Sequence, residues 1–245
     1  MRLVAIVRAL GPMDAQSVRR DSMSRWMMLL PLGLAILVRL TIAPLEARLQ
    51  EVFQFDLRPY HTLIASTFLI LVPQLFGMVI GFLLLDQRDD RTLTALRVTP
   101  MSLGGYLAYR VIVPLLLSAI VLLLVLPLVG LVEIAFLPLL MSVLATSILT
   151  PLFALFLAAF AANKVQGFAL VKGLGIILMP GFVAYFVPFP WQWALSLSPV
   201  YWPLKMFWEI QANMPNAWLY GLVGLAYHSL LLLLLLRRFQ RVMSR

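Results

Sequence analysis

Six windows of this chain carry almost no charge, and each is long enough to cross a bilayer. They are Trp26–Leu45, Pro59–Leu85, Val111–Val132, Ile134–Ala162, Gly173–Leu204 and Ile210–Leu236. A hydrocarbon core about 30 Å thick needs about 20 apolar residues as helix. Arg39 alone interrupts the first window, and Glu133 alone separates the third from the fourth, which predicts a tight helical hairpin there. Composition agrees: 62% of the 245 residues are hydrophobic and 12% charged, against about 25% charged in a soluble domain. The chain therefore reads as an all-α polytopic membrane protein. Its six transmembrane helices are expected at about 26–45, 60–85, 108–132, 135–162, 166–187 and 215–236, within one transmembrane domain, 1–245.

Charge sets the expected direction. An even number of spans puts both termini on one side, and that side holds fifteen of the nineteen lysines and arginines. Basic loops stay inside, so both termini and the polar segment after the second span are expected in the cytoplasm. The net charge of +9 is thus read as membrane orientation rather than nucleic-acid binding. Five arginines (2, 8, 19, 20 and 25) precede the first apolar run and no small-residue cleavage site follows it, unlike a signal peptide. Leu3, Ile6, Val7 and Leu10 recur at helical spacing, which predicts a basic amphipathic helix within 1–25 on the cytoplasmic membrane surface. Gly11-Pro12 is expected to break it, with Asp14 capping a second helix. Pro180, Pro188, Pro190, Pro199 and Pro203 break up the fifth window. Residues 188–214, rich in tryptophan, read as a re-entrant or interfacial outer region before the last span.

Catalytic machinery is not evident. There is no cysteine, and the two histidines, His61 and His228, lie far apart. No P-loop, His-Glu-x-x-His or Gly-x-Ser-x-Gly motif occurs, and the spans hold no carboxylate for a proton relay. Energy for uphill movement would have to enter from another protein. The densest charge lies at Asp86–Met101, within a cytoplasmic segment at 86–105. Leu93 and Leu96 share a helix face, Thr92 is a helix-start group, and Thr99-Pro100 ends the element. By these physics such a helix suits either a groove on a partner or a bed of lipid headgroups.

The stretch Gly81-Phe-Leu-Leu-Leu-Asp-Gln-Arg-Asp-Asp-Arg-Thr-Leu-Thr-Ala-Leu-Arg-Val-Thr-Pro-Met-Ser resembles the signature region of ABC-2 type permeases, the membrane subunits of ABC transporters. The matching positions are Asp86, Arg88, Asp89, Thr92, Leu93, Leu96, Thr99 and Pro100. Arg91 departs from the glycine common there, and Asp stands where Glu is usual. Six spans, the N-terminal helix and the broken outer region extend the resemblance over the whole chain. More narrowly, Arg20-Asp-Ser-Met23, Asn163-Lys-Val-Gln-Gly-Phe-Ala169 and Pro199-Val-Tyr-Trp202 look like permeases for fluoroquinolone-type drug export.

The resemblance implies a half-transporter in a bacterial or archaeal cytoplasmic membrane. Two permease chains, identical or related, would pair above two separate ATP-binding subunits. ATP and Mg would bind those partners, and this chain would carry no cofactor. Leu93, Leu96 and Met101 would contact the ATPase, with Asp89, Asp90, Arg91 and Arg97 at the rim and Asp86, Arg88, Thr92, Thr99 and Pro100 completing the coupling segment. Arg39, Gln74, Asn163, Gln166, Tyr201 and Trp202 are candidates for a pathway or gate. Export of an amphipathic or apolar compound leads. Export of a lipid or lipid-linked glycan, and a membrane scaffold without transport, stand as alternatives.

Overall fold

A computed structural model describes residues 3–89 and 102–243. Helix α1 spans Leu3–Arg20, α2 Ser22–Phe53 and α3 His61–Asp89. They are followed by α4 (Leu103–Val129), α5 (Phe136–Ser147), α6 (Leu149–Phe160), α7 (Lys164–Val183), α8 (Tyr201–Gln211) and α9 (Ala217–Met243). Six stretches are long and apolar enough to cross a membrane: α2, α3, α4, α5 with α6, α7 and α9. The described residues contain no strand.

Two of these stretches form the centre. In α3, 83% of the most apolar window is buried, and in the α5–α6 pair 78%, against 11% in both α2 and α9. The reason is small residues on facing helices. A Cβ at Gly77 would lie 2.7 Å from the Thr150 carbonyl oxygen and 2.6 Å from Phe153 Cβ. One at Gly81 would lie 2.9 Å from Leu157 Cβ. Ala154 and Ala158 of α6 are buried beside them. Lipid tails are as apolar as leucine, so helices associate in a bilayer through close packing of this kind. The small-residue stripes of α3 and α6 therefore seal the chain's own core.

The fourth span is broken at Ile148. Pro151 cannot donate to the Ser147 carbonyl, and its ring crowds that carbonyl. Hydroxyls supply local bonds around the break. Thr146 donates to the Ser142 carbonyl at 2.6 Å and Ser147 to Val143 at 2.6 Å. Thr150 donates to Ser118 Oγ of α4 at 2.7 Å, a buried cross-helix bond.

The N-terminal helix departs from expectation. It runs unbroken through Pro12, and Asp14 caps nothing. Ile6 and Leu10 are buried against Tyr106, Leu107, Tyr109 and Phe239, and this burial offsets the one backbone bond that Pro12 removes. The chain breaks instead at Asp21. Its carboxylate accepts from the backbone N–H groups of Met23 and Ser24 and from the Ser24 hydroxyl, capping α2. Those hydrogen bonds, the Ser24 hydroxyl first, hold the Asp21 carboxyl below its ordinary range.

Beyond α7 the chain folds back on itself. Helix α8 has 11 residues, about 16 Å at 1.5 Å per residue, too short to cross a bilayer. Tyr201, Trp202, Leu204, Met206, Phe207 and Trp208 are nevertheless buried. Glycines let it in. A Cβ at Gly224 of α9 would lie 2.8 Å from Trp202 Cβ, and one at Gly221 would lie 2.5 Å from Met206 Sδ. The irregular backbone leading to α8 is satisfied by side chains. Gln192 donates to the Val187 carbonyl, Ser198 to Ile177, Tyr227 to Leu197, and His228 Nε2 to Pro199. Buried non-helical backbone requires such partners. His228 is thus a buried packing residue, with its proton on Nε2.

Candidate functional site

A buried polar cluster forms where α1, α3 and α4 meet, on either side of the polar segment. Arg110 lies two turns into α4 and is only 1% exposed. Its Nη1 donates to Asp14 Oδ2 at 2.6 Å, and its Nη2 donates to Asp14 Oδ1 at 3.3 Å and Gln87 Oε1 at 2.8 Å. Tyr109 donates to Asp14 Oδ2 at 2.7 Å, Tyr106 to Gln87 Oε1 at 3.2 Å, and Gln87 Nε2 to Asp14 Oδ1 at 3.3 Å. The guanidinium also sits 5.1 Å from the ring centres of both tyrosines.

Local sequence explains the convergence. Gln87 is in the last turn of α3, and Tyr106, Tyr109 and Arg110 recur at helical spacing near the start of α4. Asp14 faces them from α1, whose Ile6 and Leu10 are buried on the same side. A forked guanidinium matches a carboxylate with two parallel bonds. A charge this deep persists only when paired and hydrogen-bonded. One cluster thus ties the amphipathic helix to both flanks of the segment at 86–105.

Neighbouring charges fix helix ends. Arg88 donates to the Ala161 carbonyl at 2.8 Å, to Ala162 and, at 3.4 Å, to Ala158. Arg238 Nε donates to Ala159 at 3.3 Å, and its guanidinium lies 4.0 Å from the Phe160 ring centre. Two cations therefore satisfy the exposed carbonyls that end α6, where the helix dipole also favours positive charge. Asp86 pairs with Lys164 at 2.8 Å, linking the ends of α3 and the start of α7.

The sequence-nominated residues divide. Asp86 and Arg88 belong to the end of α3 and hold neighbouring helices. Asp89 closes α3, and its side chain lies outside the described residues. So do Asp90, Arg91, Thr92, Leu93, Leu96, Arg97, Thr99, Pro100 and Met101. Arg39 donates to the Leu128 carbonyl at 3.2 Å and to Pro127 at 3.5 Å. These are the last carbonyls of α4, beside Gly130 in the left-handed region at φ 68°. Asn163 accepts from the Gln166 backbone N–H at 3.0 Å, and Gln166 accepts from Ala162 at 2.6 Å. That is a reciprocal cap on α7. Gln74 is half-buried in α3. Tyr201 and Trp202 lie in the core around α8. None of the four cavities among the described residues collects these six. Sequence reasoning missed Asp14, Gln87, Tyr106, Tyr109 and Arg110 as a unit. The available signals were a lone acid in a basic helix and an arginine reaching the edge of an apolar run.

Comparison with known proteins adds to this geometry. The chain is 30% identical over 240 residues to two proteins of Mycobacterium tuberculosis. These are the fluoroquinolones export permease protein MT2760 of strain CDC 1551 / Oshkosh and the fluoroquinolones export permease protein Rv2686c of strain ATCC 25618 / H37Rv. The match covers 95% of this chain and 93% of each relative. No solved structure matches. A family profile described as Rv2686c-like, "Fluoroquinolones export permease protein Rv2686c-like", matches residues 14–236, and so this six-span membrane protein belongs to the Rv2686c-like permease family.

Proposed function

We propose that this chain is the membrane-spanning subunit of an ATP-driven exporter. Its cargo is an amphipathic compound of the fluoroquinolone kind, moved out across the cytoplasmic membrane. Separate ATP-binding subunits dock on the polar segment at 86–105 and on α1, which lie in the cytoplasm with both termini. A second permease chain completes the pathway.

One observation carries this reading: the buried cluster of Asp14, Gln87, Tyr106, Tyr109 and Arg110. A push on either α1 or the polar segment reaches α3 and α4 through one shared set of charge-assisted bonds. Those two helices lead directly into the core, since α3 packs on α6. The arrangement suits a rigid lever better than a passive loop. The family's name and the chain's apolar build support export, and the lack of a P-loop in the sequence is consistent with ATP hydrolysis on a partner.

The test is purification of the tagged chain from membranes, with identification of bound P-loop subunits and assay of ATP hydrolysis with and without a fluoroquinolone. The expected result is a stable ATPase partner and drug-stimulated hydrolysis. Charge reversal at Asp89 and Asp90 is expected to lower both while the chain stays in the membrane. Unchanged association and unchanged efflux in that variant would refute the docking surface. A chain that exports drug with no ATPase present would refute ATP drive.

A further inference from the structure

Two cavities along α9 adjoin, and their chemistry is opposite. The first, about 340 Å³, is lined by Arg237, Arg238 and Arg241 with Leu234 and Val242. The second, about 220 Å³, lies between α6, α7 and α9 and has an entirely apolar lining that includes Phe156, Phe160, Ile177, Leu231 and Leu234. Leu234 belongs to both. The contact is reinforced where the Arg238 guanidinium lies over Phe160. From Leu231 to Arg238 the helix rises about 10 Å, so the two cavities, sharing Leu234, lie in series along α9 as an apolar groove beside a basic mouth.

We propose that this groove holds an anionic phospholipid of the arginine-rich leaflet. Its phosphate sits among Arg237, Arg238 and Arg241, and one acyl chain lies against α6, α7 and α9. This does not rest on the transport reading.

Three observations choose this occupant. Among the described residues, no carboxylate forms an ion pair with Arg237 or Arg238. Arg238 is held in place by the Ala159 carbonyl and the Phe160 ring, which fixes one guanidinium at the mouth. The apolar wall is open: Leu234 is 52% exposed, Ile177 47% and Phe160 42%. An acyl chain covers such a wall without needing any polar partner, and basic clusters at a membrane surface attract anionic headgroups. A second copy docking through this face about a twofold axis would set Arg237 and Arg238 against the same two cations.

Native mass spectrometry of the full chain in nonionic detergent tests the proposal. Phosphatidylglycerol and phosphatidylcholine of identical acyl chains are titrated separately, with glycerol phosphate as the headgroup alone. Wild type is expected to retain phosphatidylglycerol at least about tenfold more tightly than phosphatidylcholine. The double variant R237Q/R241Q, which spares the Arg238 cap on α6, is expected to lose about 30-fold in phosphatidylglycerol affinity, at roughly 1 kcal/mol per charge, with phosphatidylcholine little changed. Ile177→Trp fills the apolar part and is expected to weaken both lipids equally. Unfolding midpoints confirm that the variants are folded, and a variant that fails to fold leaves the wild-type lipid preference and the other variant to decide. Equal retention of the two lipids by wild type would overturn the proposal. Full retention of the preference in R237Q/R241Q would do the same. Displacement of the lipid by an equal concentration of glycerol phosphate would reduce the site to a bare anion site. A change of oligomeric state in Ile177→Trp without lipid loss would give the groove to a second copy.

Discussion

At the arginine-rich end, helices are joined by ionic and carbonyl-seeking side chains. Asp14 and Arg110 bind α1 to α4, Arg88 and Arg238 close α6, and Asp86 meets Lys164. At the opposite end, between Tyr185 and Trp208, the joints are aromatic. The rings of Tyr185 and Trp208 meet edge-on at 5.0 Å, and those of Trp193 and Trp202 at 6.1 Å. The Glu46–His61 and Lys205–Glu209 pairs contribute there, but four of the buried residues of α8 are the aromatics Tyr201, Trp202, Phe207 and Trp208. The difference teaches where each end can yield. An ionic joint is directional, so losing one partner strands the other. An aromatic joint depends on volume, so shape-conserving changes are tolerated.

Replacing Arg110 by alanine should break this contrast most sharply. It leaves a largely buried Asp14 carboxylate without its cation and takes the guanidinium from Gln87 Oε1, and is expected to cost about 3–5 kcal/mol. Thermal unfolding in detergent would show it as an early loss of the whole transition. Asp14→Asn keeps the shape and removes the charge, with an expected loss of about 1–3 kcal/mol. The same unfolding assay measures it, and a second cycle with Gln87→Ala should prove non-additive because the three groups share bonds.

The aromatic end should respond differently. Trp208→Phe keeps most of the ring volume and removes an indole N–H that has no acceptor among the described residues. It is expected to change stability by less than about 1.5 kcal/mol. A larger loss would show that the aromatic end also relies on directional bonds. The smallest effect is expected at the α1–α2 junction. Asp21→Ala removes a cap of about 1 kcal/mol. The Asp21 carboxyl is held below its ordinary value. Its contribution is therefore present above the unfolded value of 3.8 and fades as pH falls through the lower folded value. Unfolding of wild type and variant should converge under acid and differ at neutral pH.

Much of the frame was legible before the structure. The six spans follow from uncharged length, because a bilayer leaves no other use for twenty apolar residues. The irregular stretch between α7 and α8 coincides with Pro188, Pro190 and Pro199. Less legible was the work done by isolated polar residues. Arg39, nominated for a pathway, closes α4. Asn163 and Gln166, nominated for a gate, cap α7 reciprocally. Helix ends in lipid demand such partners, but sequence spacing does not say which end a long side chain reaches. The break at Ile148 had its signal in Pro151. Asp14 and Arg110 lie 96 residues apart, and no local periodicity encodes a contact between helices so distant in sequence. Continuity of α1 through Pro12 likewise depends on the packing of Ile6 and Leu10.

On the proposed function, the Asp14–Arg110 cluster transmits force between the polar segment and the bundle. Fluoroquinolone efflux by Asp14→Asn, measured in membranes that contain the ATP-binding partner and normalised to the amount of permease present, tests it directly. Efflux should fall by about tenfold or more, equivalent to about 1.4 kcal/mol lost from the coupled step, while the partner remains bound. Efflux equal to wild type at equal permease abundance would contradict the claim.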